Sequence, residues 1–267
     1  NGALIVGCDV HKKGYHPVLK EEQDMTTDHW GWRTLQISFS LADNIEISGL
    51  IFKQTRCWAI SFDKCAWFYV HHIHMESSIR NGDGVNASAG CHDFTIRHIT
   101  GYTSDDTVAL TAVRRGDVSY PWKNYLYTME PSRFLSPNYE DREMDIYNGS
   151  IFNIETDGNC NGVICAVGDY LRIYDIQIDR VIDPPDRKGS RGATVKLFNG
   201  HNKNKHRDHD IYNISVSNVV SNVGKYAIKV DFKVKNVWFN KIVQQNPDHE
   251  LSYIDDQDGI TITNSQI

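Results

Sequence analysis

The sequence predicts an all-β fold, a single-stranded right-handed parallel β-helix (solenoid) formed by residues 1–267 as one domain. Three observations support this prediction. A short apolar motif recurs about every 23 residues, a second strand-like segment follows most copies, and helical periodicity is hard to find. Each repeat is then one coil, and stacked coils bury continuous apolar columns.

The repeated motif starts with Asn or a substitute and continues with apolar residues at alternate positions, which is the period of a strand. Its copies begin at Asn44, Trp67, Asp93, Tyr170, Asn213, Asn236 and Gly259. The spacing is 23 residues from Asn44 to Trp67 and 26 residues from Trp67 to Asp93. Asn suits a turn at this position, because its amide can bond nearby backbone or stack on the Asn of an adjacent coil.

A second strand column runs beside the first. It comprises residues 58–62, 84–87, 107–110, 162–165, 193–196 and 227–230. A leucine-rich repeat lacks support because its Leu/Asn signature is absent, and a β-propeller needs a longer period. Residues 114–142 and 183–209 interrupt the repeat and are predicted as loop insertions. Such loops either carry aromatic side chains that stack on sugars or fold back over the coils.

Composition excludes several classes of protein. The hydrophobic fraction of 40 % argues against disorder, and the net charge of -6 gives no support for binding nucleic acid. No apolar run is long enough for a membrane span. The chain opens on a strand-like segment without an initiator Met, which we interpret as a mature or truncated chain. The six cysteines form no CxxC pair and are predicted as buried thiols of the repeat core, with disulfides as the alternative.

Three aspartates fall at one turn of the predicted coils. Asp83 lies two residues before Val85, and Asp106 lies two residues before Val108, one repeat of 23 residues later. We therefore expect Asp83 and Asp106 to stack about 4.8 Å apart, with Asp105 beside them. Like charges this close raise at least one pKa, which provides a protonated acid beside an ionised base. Glycosidic cleavage needs that pair, although Asp-Gly turns are also structural and clustered carboxylates also suit calcium.

With these residues in place, the chain resembles the polygalacturonases of glycoside hydrolase family 28, within the pectin-lyase-like superfamily. Residues 30–112 carry the resemblance, with N-G-D-G at 81–84 matching the N-x-D-G turn of the family and D-D at 105–106 matching its Asp pair. The resemblance implies that Asp105 is the general acid. It also implies that Asp83 and Asp106 hold the water of an inverting hydrolysis. Related β-helix α-galactosidases with three aspartates offer a second template.

The later motifs of the family are only partly present. Where G-H-G is expected, residues 161–163 read N-G-V, and where R-I-K is expected, residues 194–196 read T-V-K. The resemblance predicts substrate contacts from Lys196, Asn161, Arg191 and Asn81. Because the His and the Arg of these motifs are missing, neutral or differently charged glycans are credible substrates beside pectin.

Three histidines, His71, His72 and His74, lie on one predicted strand. Simple alternation places His72 and His74 on one face and His71 on the other. A metal-ligand pair is one interpretation, and ordinary polar residues on the outer face are the favoured one. The prediction for this chain accordingly includes no metal site and no cofactor.

The sequence therefore predicts a secreted or periplasmic glycosidase that cleaves an oligo- or polysaccharide with Asp83, Asp105 and Asp106. It predicts no nucleic-acid partner and no membrane contact, and it does not fix the oligomeric state. Two alternatives remain. One is a non-catalytic carbohydrate-binding or tailspike-like β-helix, and the other is a calcium-dependent polysaccharide lyase.

Overall fold

The computed structural model of the chain describes residues 3–6, 13–16, 21–24, 35–55, 57–78, 81–113, 143–185, 191–199 and 206–266. These residues form twenty strands and no helix, numbered here in chain order. Accordingly, the described part of the chain contains no helix suited to crossing a membrane. The predicted all-β class is confirmed.

The larger sheet is parallel and runs along the whole molecule. Its order is β1-β6-β8-β10-β12-β14-β16-β18-β20, with β5 also paired to β8. The strands are β1 (Ala3–Val6), β5 (Asp43–Ser48), β6 (Leu50–Lys53), β8 (Ala66–Ser77), β10 (His92–Thr103), β12 (Ile146–Gly158), β14 (Ile173–Ile182), β16 (Ile211–Ser221), β18 (Lys235–Gln244) and β20 (Ile260–Thr263).

A second parallel sheet of short strands faces the first, in the order β19-β17-β15-β13-β11-β9-β7-β4. Its strands are β4 (Ile37–Ser40), β7 (Ile60–Asp63), β9 (Val85–Ser88), β11 (Val108–Ala112), β13 (Asn161–Val167), β15 (Ala193–Phe198), β17 (Tyr226–Val230) and β19 (Glu250–Ile254). A small antiparallel hairpin joins β2 (Lys13–His16) to β3 (Glu21–Asp24). The chain alternates between the two parallel sheets, so the fold is the predicted right-handed parallel β-helix.

The repeated Asn position has a conformational cause. All eight described residues of this column have a positive φ, which L side chains other than Asn and Asp rarely adopt. The column comprises Asn44, Trp67, Asp93, Asn148, Asp175, Asn213, Asn236 and Gly259. Side-chain amides also connect successive coils, since Asn236 Nδ2 donates to Asn213 Oδ1 at 2.9 Å and Asn213 Nδ2 donates to Asp175 Oδ1 at 2.9 Å. The predicted Asn ladder is present.

One copy of the motif was placed in the wrong register. The sequence pattern started a copy at Tyr170, whereas Ile176 pairs with Ile214 and Asp175 therefore occupies the Asn position. Asp175 has the left-handed φ of 56° that defines the column. Tyr170 also has a positive φ, 62°, so neither the alternating residues nor a left-handed bend identifies the column, and the pairing of β14 with β16 assigns Asp175 to it.

A second left-handed column lies five residues further along each coil and includes His72 and His98. A left-handed residue interrupts the alternation of side chains along a strand. The prediction that His71 and His72 face opposite sides is therefore wrong. Val70 and Ile73 are buried, and the two histidines between them both point outward.

The core is a set of columns that run along the helix axis. Rings of Phe39, Phe62, Phe68 and Phe94 stack in sequence, with centroids 5.6, 4.0 and 4.9 Å apart. Four of the described cysteines are buried thiols, as the sequence predicts: Cys57, Cys65, Cys91 and Cys165. Cys160 is the described cysteine that differs, because it is only partly buried.

The two predicted insertions have different outcomes. Residues 114–142 lie outside the described residues. Within 183–209, strand β15 occupies the predicted strand position, so this stretch is divided by a coil of the helix rather than forming one continuous loop. Residues 186–190 and 200–205 within it also lie outside the described part of the chain.

Candidate active site

The three aspartates lie where the chain turns from the long-strand sheet to the short-strand sheet. Gly84 N donates to the backbone oxygen of Asp106 at 2.9 Å, which stacks the turn of Asp83 on that of Asp106. A Cβ atom at Gly84 would lie 2.5 Å from the backbone oxygen of Thr107, so only glycine permits this approach. Glycine after Asp83 is thus required for the coils to pack closely at the cluster.

Asp105, Asp106 and Cys160 converge at this turn. Their ligand atoms, a carboxylate oxygen from each Asp and the Cys160 Sγ, all lie within 4.8 Å of one another. Among the described residues, this is the one group of acidic, Cys and His side chains that could hold a metal ion jointly. One thiol and two carboxylates do not supply the six to eight oxygen ligands that calcium prefers.

Asn161 fixes the carboxylate of Asp106. Its backbone N donates to Asp106 Oδ1 at 3.0 Å, and its Nδ2 donates to the same oxygen at 2.7 Å. Burial raises the pKa of Asp106 to about 7, and the adjacent Asp105 acts in the same direction. Hydrogen bonds from Asn161 and the charge of Lys196 oppose that rise in pKa. Asp106 can therefore hold a proton close to neutral pH.

The raised pKa of Asp106 has a consequence for stability. The folded state binds more protons than the unfolded state between about pH 4 and pH 7, so the carboxyl destabilises the fold progressively as pH rises through this window. We expect Asp106→Asn to raise the free energy of unfolding by about 1–3 kcal/mol at pH 8 and to change it little near pH 4. Urea unfolding of both proteins at the two pH values measures this difference. The exposed Asp258→Asn is the matched control, and equal differences at both pH values would contradict the prediction.

Cys160 was not among the predicted site residues. Burial raises the pKa of its thiol well above the ordinary value, and Asp105 adds to this both by its charge and by a side-chain hydrogen bond. The thiol is therefore protonated at neutral pH and pairs with the Asp105 carboxylate. Val108 pairs with Val163, which aligns Asp105 with Cys160. Residues 114–142 separate these two coils, so the repeat in the sequence does not give this alignment.

The four residues predicted to contact substrate have different surroundings in the structure. Asn161 is turned toward Asp106, and Asn81 Nδ2 donates to Cys57 Sγ at 3.6 Å. Lys196 Nζ lies 3.3 Å from Asp231 Oδ2 and 3.8 Å from the ring centroid of Phe198. These three residues lie at or near the turn of the cluster, and their contact with a substrate remains a prediction.

Arg191 is buried, with 2 % of its surface exposed. Its Nη2 donates to the backbone oxygen of Thr156 at 2.6 Å and to Thr156 Oγ1 at 3.0 Å. Burial lowers the pKa of Arg191 to about 10, which still leaves it charged at neutral pH. A role in contacting substrate is untested, and the guanidinium already has protein partners.

A row of buried threonine hydroxyls is a further feature of the site that the sequence did not predict. Thr103, Thr107 and Thr156 are all buried, and their Oγ1 atoms lie 2.9 and 2.7 Å apart in that order. The register of Thr156 depends on the length of the preceding interruption, residues 114–142, which no periodicity in the sequence gives. We find no sequence signal that would have identified this row.

Fold and site together define a class: a parallel β-helix protein with a close carboxylate pair at the turn between its two sheets. The structure is similar to a polygalacturonase from Erwinia carotovora ssp. carotovora, with a TM-score of 0.52 and 15 % sequence identity over 85 % of this chain and 55 % of that chain. An exopolygalacturonase from Thermotoga maritima gives a TM-score of 0.46 at 12 % identity, over 86 % of this chain and 55 % of that one. The chain thus spans about half the length of these structures.

Comparison of sequences adds nothing to this likeness. No protein-family model matches the chain, and no curated protein sequence matches it. The structural likeness establishes the fold and does not by itself establish an activity.

Proposed function

We propose that this chain is a glycoside hydrolase that cleaves an oligo- or polysaccharide by inverting acid–base catalysis. The observation that carries the proposal is the pair of carboxyl groups of Asp105 and Asp106, with ligand oxygens within 4.8 Å and the pKa of Asp106 raised to about 7. Two carboxyls this close titrate as one unit, so the pair retains a proton in the pH range where other carboxyls are ionised.

In the proposed chemistry Asp105 is the general acid, and Asp83 and Asp106 share the activation of water. Transfer of the shared proton to Asp105 leaves Asp106 ionised, and Asp105 then protonates the glycosidic oxygen as the bond to the anomeric carbon breaks. Asp83 and Asp106 orient the attacking water and accept its proton. The product is a sugar with a free reducing end and inverted configuration, and exchange with solvent returns a proton to Asp105.

The substrate class is open between neutral and acidic glycans. Lys196 is paired with Asp231, and Arg191 is buried against Thr156, so both predicted cations already have protein partners. A uronate would have to compete with those partners, whereas a neutral sugar would not. The screening panel should therefore contain neutral polysaccharides beside polygalacturonate.

The decisive experiment is release of reducing ends from that glycan panel, with and without a chelator. We expect release from at least one glycan, unchanged by the chelator, and no product that absorbs in the ultraviolet. An unsaturated, ultraviolet-absorbing product whose formation stops with chelator would establish a calcium-dependent lyase instead. Glycan binding without any release would favour a carbohydrate-binding β-helix.

Proton NMR of the first product tests the inverting step. One carboxylate oxygen of Asp105 and one of Asp106 lie within 4.8 Å of each other, which is closer than the roughly 6.5–9.5 Å that usually separates the acid and base of inverting enzymes. The pair alone therefore does not supply both groups, and Asp83 is needed as a partner for the water. An initial product with retained configuration would overturn the inverting mechanism while leaving the hydrolase intact.

A further inference from the structure

Arg191 is buried close to the Asp105–Asp106 pair, and its guanidinium packs against two glycines. A Cβ atom at Gly162 would lie 3.0 Å from Arg191 Nη1, and a Cβ at Gly158 would lie 3.3 Å from Nη2. The same Cβ atoms would lie 2.7 Å from the backbone oxygen of Thr194 and 2.6 Å from that of Thr103, so both glycines serve the close packing of the coils and also leave room for the guanidinium. Arg191 Nε is buried and has no hydrogen-bond partner in the part of the chain that the structure describes. A buried cation with incomplete hydrogen bonding costs stability, and such a cost is expected where a charge serves function.

A continuous chain of hydrogen bonds leads from this cation to Asp105. Arg191 Nη2 reaches Thr156 Oγ1 at 3.0 Å, Thr156 reaches Thr107 at 2.7 Å, and Thr107 reaches Thr103 at 2.9 Å. Thr103 Oγ1 then donates to the backbone oxygen of Asp105 at 3.1 Å. The chain joins a buried charge to the backbone of the proposed acid.

The direction of every hydrogen bond in this chain is fixed by its two ends. A guanidinium can only donate, and the backbone oxygen of Asp105 can only accept. Each threonine hydroxyl must therefore accept from the Arg191 side and donate toward Asp105. Hydrogen bonds aligned in this way polarise one another, so the chain is a rigid, oriented support rather than a set of independent contacts.

The charge of Arg191 also acts directly on the cluster. Asp183, Asp106 and Cys160 are the acidic groups whose charges oppose the fall in its pKa, with Asp183 the strongest. Asp183 is buried and accepts from the backbone N–H groups of Val223 and Gly224 at 3.2 and 3.0 Å. The pKa of Arg191 is thus raised by the charge of a structural carboxylate, Asp183, and by that of Asp106 in the proposed catalytic pair.

We propose that Arg191 is a positioning residue that holds the backbone of Asp105 through the threonine chain and favours the ionised form of the Asp105–Asp106 pair. Together with Lys196, whose charge also lowers the pKa of Asp106, it thereby lowers the pH at which the pair gives up its shared proton. This inference rests on the proposed function of the same site. It replaces the substrate contact predicted for Arg191 with a role exerted from inside the coil.

Two substitutions separate the charge of Arg191 from its hydrogen bonds. Arg191→Gln keeps a donor and removes the charge, and Arg191→Lys keeps the charge. We expect Arg191→Gln to lower kcat about 10- to 100-fold with KM changed less than about 3-fold, and to move the pH–rate profile upward by roughly one unit. Arg191→Lys should keep the wild-type pH profile. Arg172→Gln is the matched control, because Arg172 pairs with Asp145 at 2.6 Å and should affect stability without moving the profile.

A rise in KM at constant kcat would overturn the proposal, because it would show direct contact with the substrate. A pH profile for Arg191→Gln that matches the wild type would overturn it as well. If Arg191→Gln does not fold, Thr107→Val interrupts the chain and retains the charge. That variant should lose kcat about 10-fold with an unchanged pH profile, and full activity would contradict the role of the chain.

A second measurement does not depend on glycan hydrolysis. Cys160 is partly exposed while the other described cysteines are buried, so its alkylation by iodoacetamide can be followed in a Cys8→Ser background. Loss of the Arg191 charge should raise the pKa of the Cys160 thiol and slow alkylation at pH 9 about 3- to 10-fold. An unchanged rate in folded Arg191→Gln protein would contradict the proposal. Slower alkylation of Cys160 in a protein that hydrolyses no glycan would support the charge effect proposed for Arg191 and would contradict the proposed glycoside hydrolase function.

Discussion

Replacing Asp105 with Asn is expected to lower kcat at least about 1000-fold while glycan binding persists. The substitution preserves size and removes the proton that the leaving oxygen requires. Asp105 lies partly exposed within 4.8 Å of Asp106 and Cys160, so the amide should fit without displacing the coil. Steady-state kinetics and isothermal calorimetry with the active glycan measure turnover and binding separately.

The matched control for this experiment is Asp258→Asn, which changes an exposed carboxyl far along the chain and should keep wild-type kinetics. Asp106→Asn supplies the comparison within the pair. If the Asp105 variant kept its turnover and the Asp106 variant lost it, the acid would be Asp106, the residue whose pKa is raised to about 7. Loss of glycan binding in the Asp105 variant would point to a structural role instead.

Truncation of Phe68 to Ala is expected to reduce the free energy of unfolding by about 3–5 kcal/mol. Its ring is 1 % exposed and stacks between Phe62, at 4.0 Å, and Phe94, at 4.9 Å. The neighbouring coils are tied by backbone hydrogen bonds on both sides and can close the resulting cavity only in part. Urea unfolding followed by tyrosine and tryptophan fluorescence and by circular dichroism gives the change.

Trp67→Ala is the control for Phe68→Ala, because Trp67 is the preceding residue on the same strand and is 56 % exposed. Its replacement should cost less than about 1 kcal/mol. Comparable losses for the two variants would show that the stacked phenylalanine column does not dominate stability. A loss below about 1 kcal/mol for Phe68→Ala would lead to the same conclusion.

The register of the first coils could be predicted from the sequence. The interval of 23 residues between Asn44 and Trp67 is the paired register of β5 and β8, since Ile45 pairs with Phe68. Local chemistry made this possible, because the left-handed bend favours Asn, Asp or Gly at most coils, although Trp67 makes it at one of them. The copy placed at Tyr170 failed because alternation does not identify which residue pairs with the neighbouring coil, and both Tyr170 and Asp175 have a positive φ.

The candidate site likewise contains residues that the sequence could place and residues that only the structure places. The turns of Asp83 and Asp106 could be stacked from the sequence, because one coil of 23 residues separates them and pairing in a parallel sheet preserves register. The described group within 4.8 Å comprises Asp105, Asp106 and Cys160 and does not include Asp83. Arg191 could be noticed only as a nearby cation. Its orientation into the coil, toward Thr156, depends on the space left by two glycines and on burial that no motif encodes.

The sequence by itself determined the solenoid, its repeat and the aspartates at one turn, since each follows from contacts between adjacent repeats. The tertiary structure alone decided that Cys160 faces Asp105, that Asp106 has a raised pKa, and that Arg191 is buried close to them. Desolvation and hydrogen-bond direction depend on how neighbouring coils enclose a side chain. That enclosure brings together residues separated by interruptions whose length the repeat does not fix.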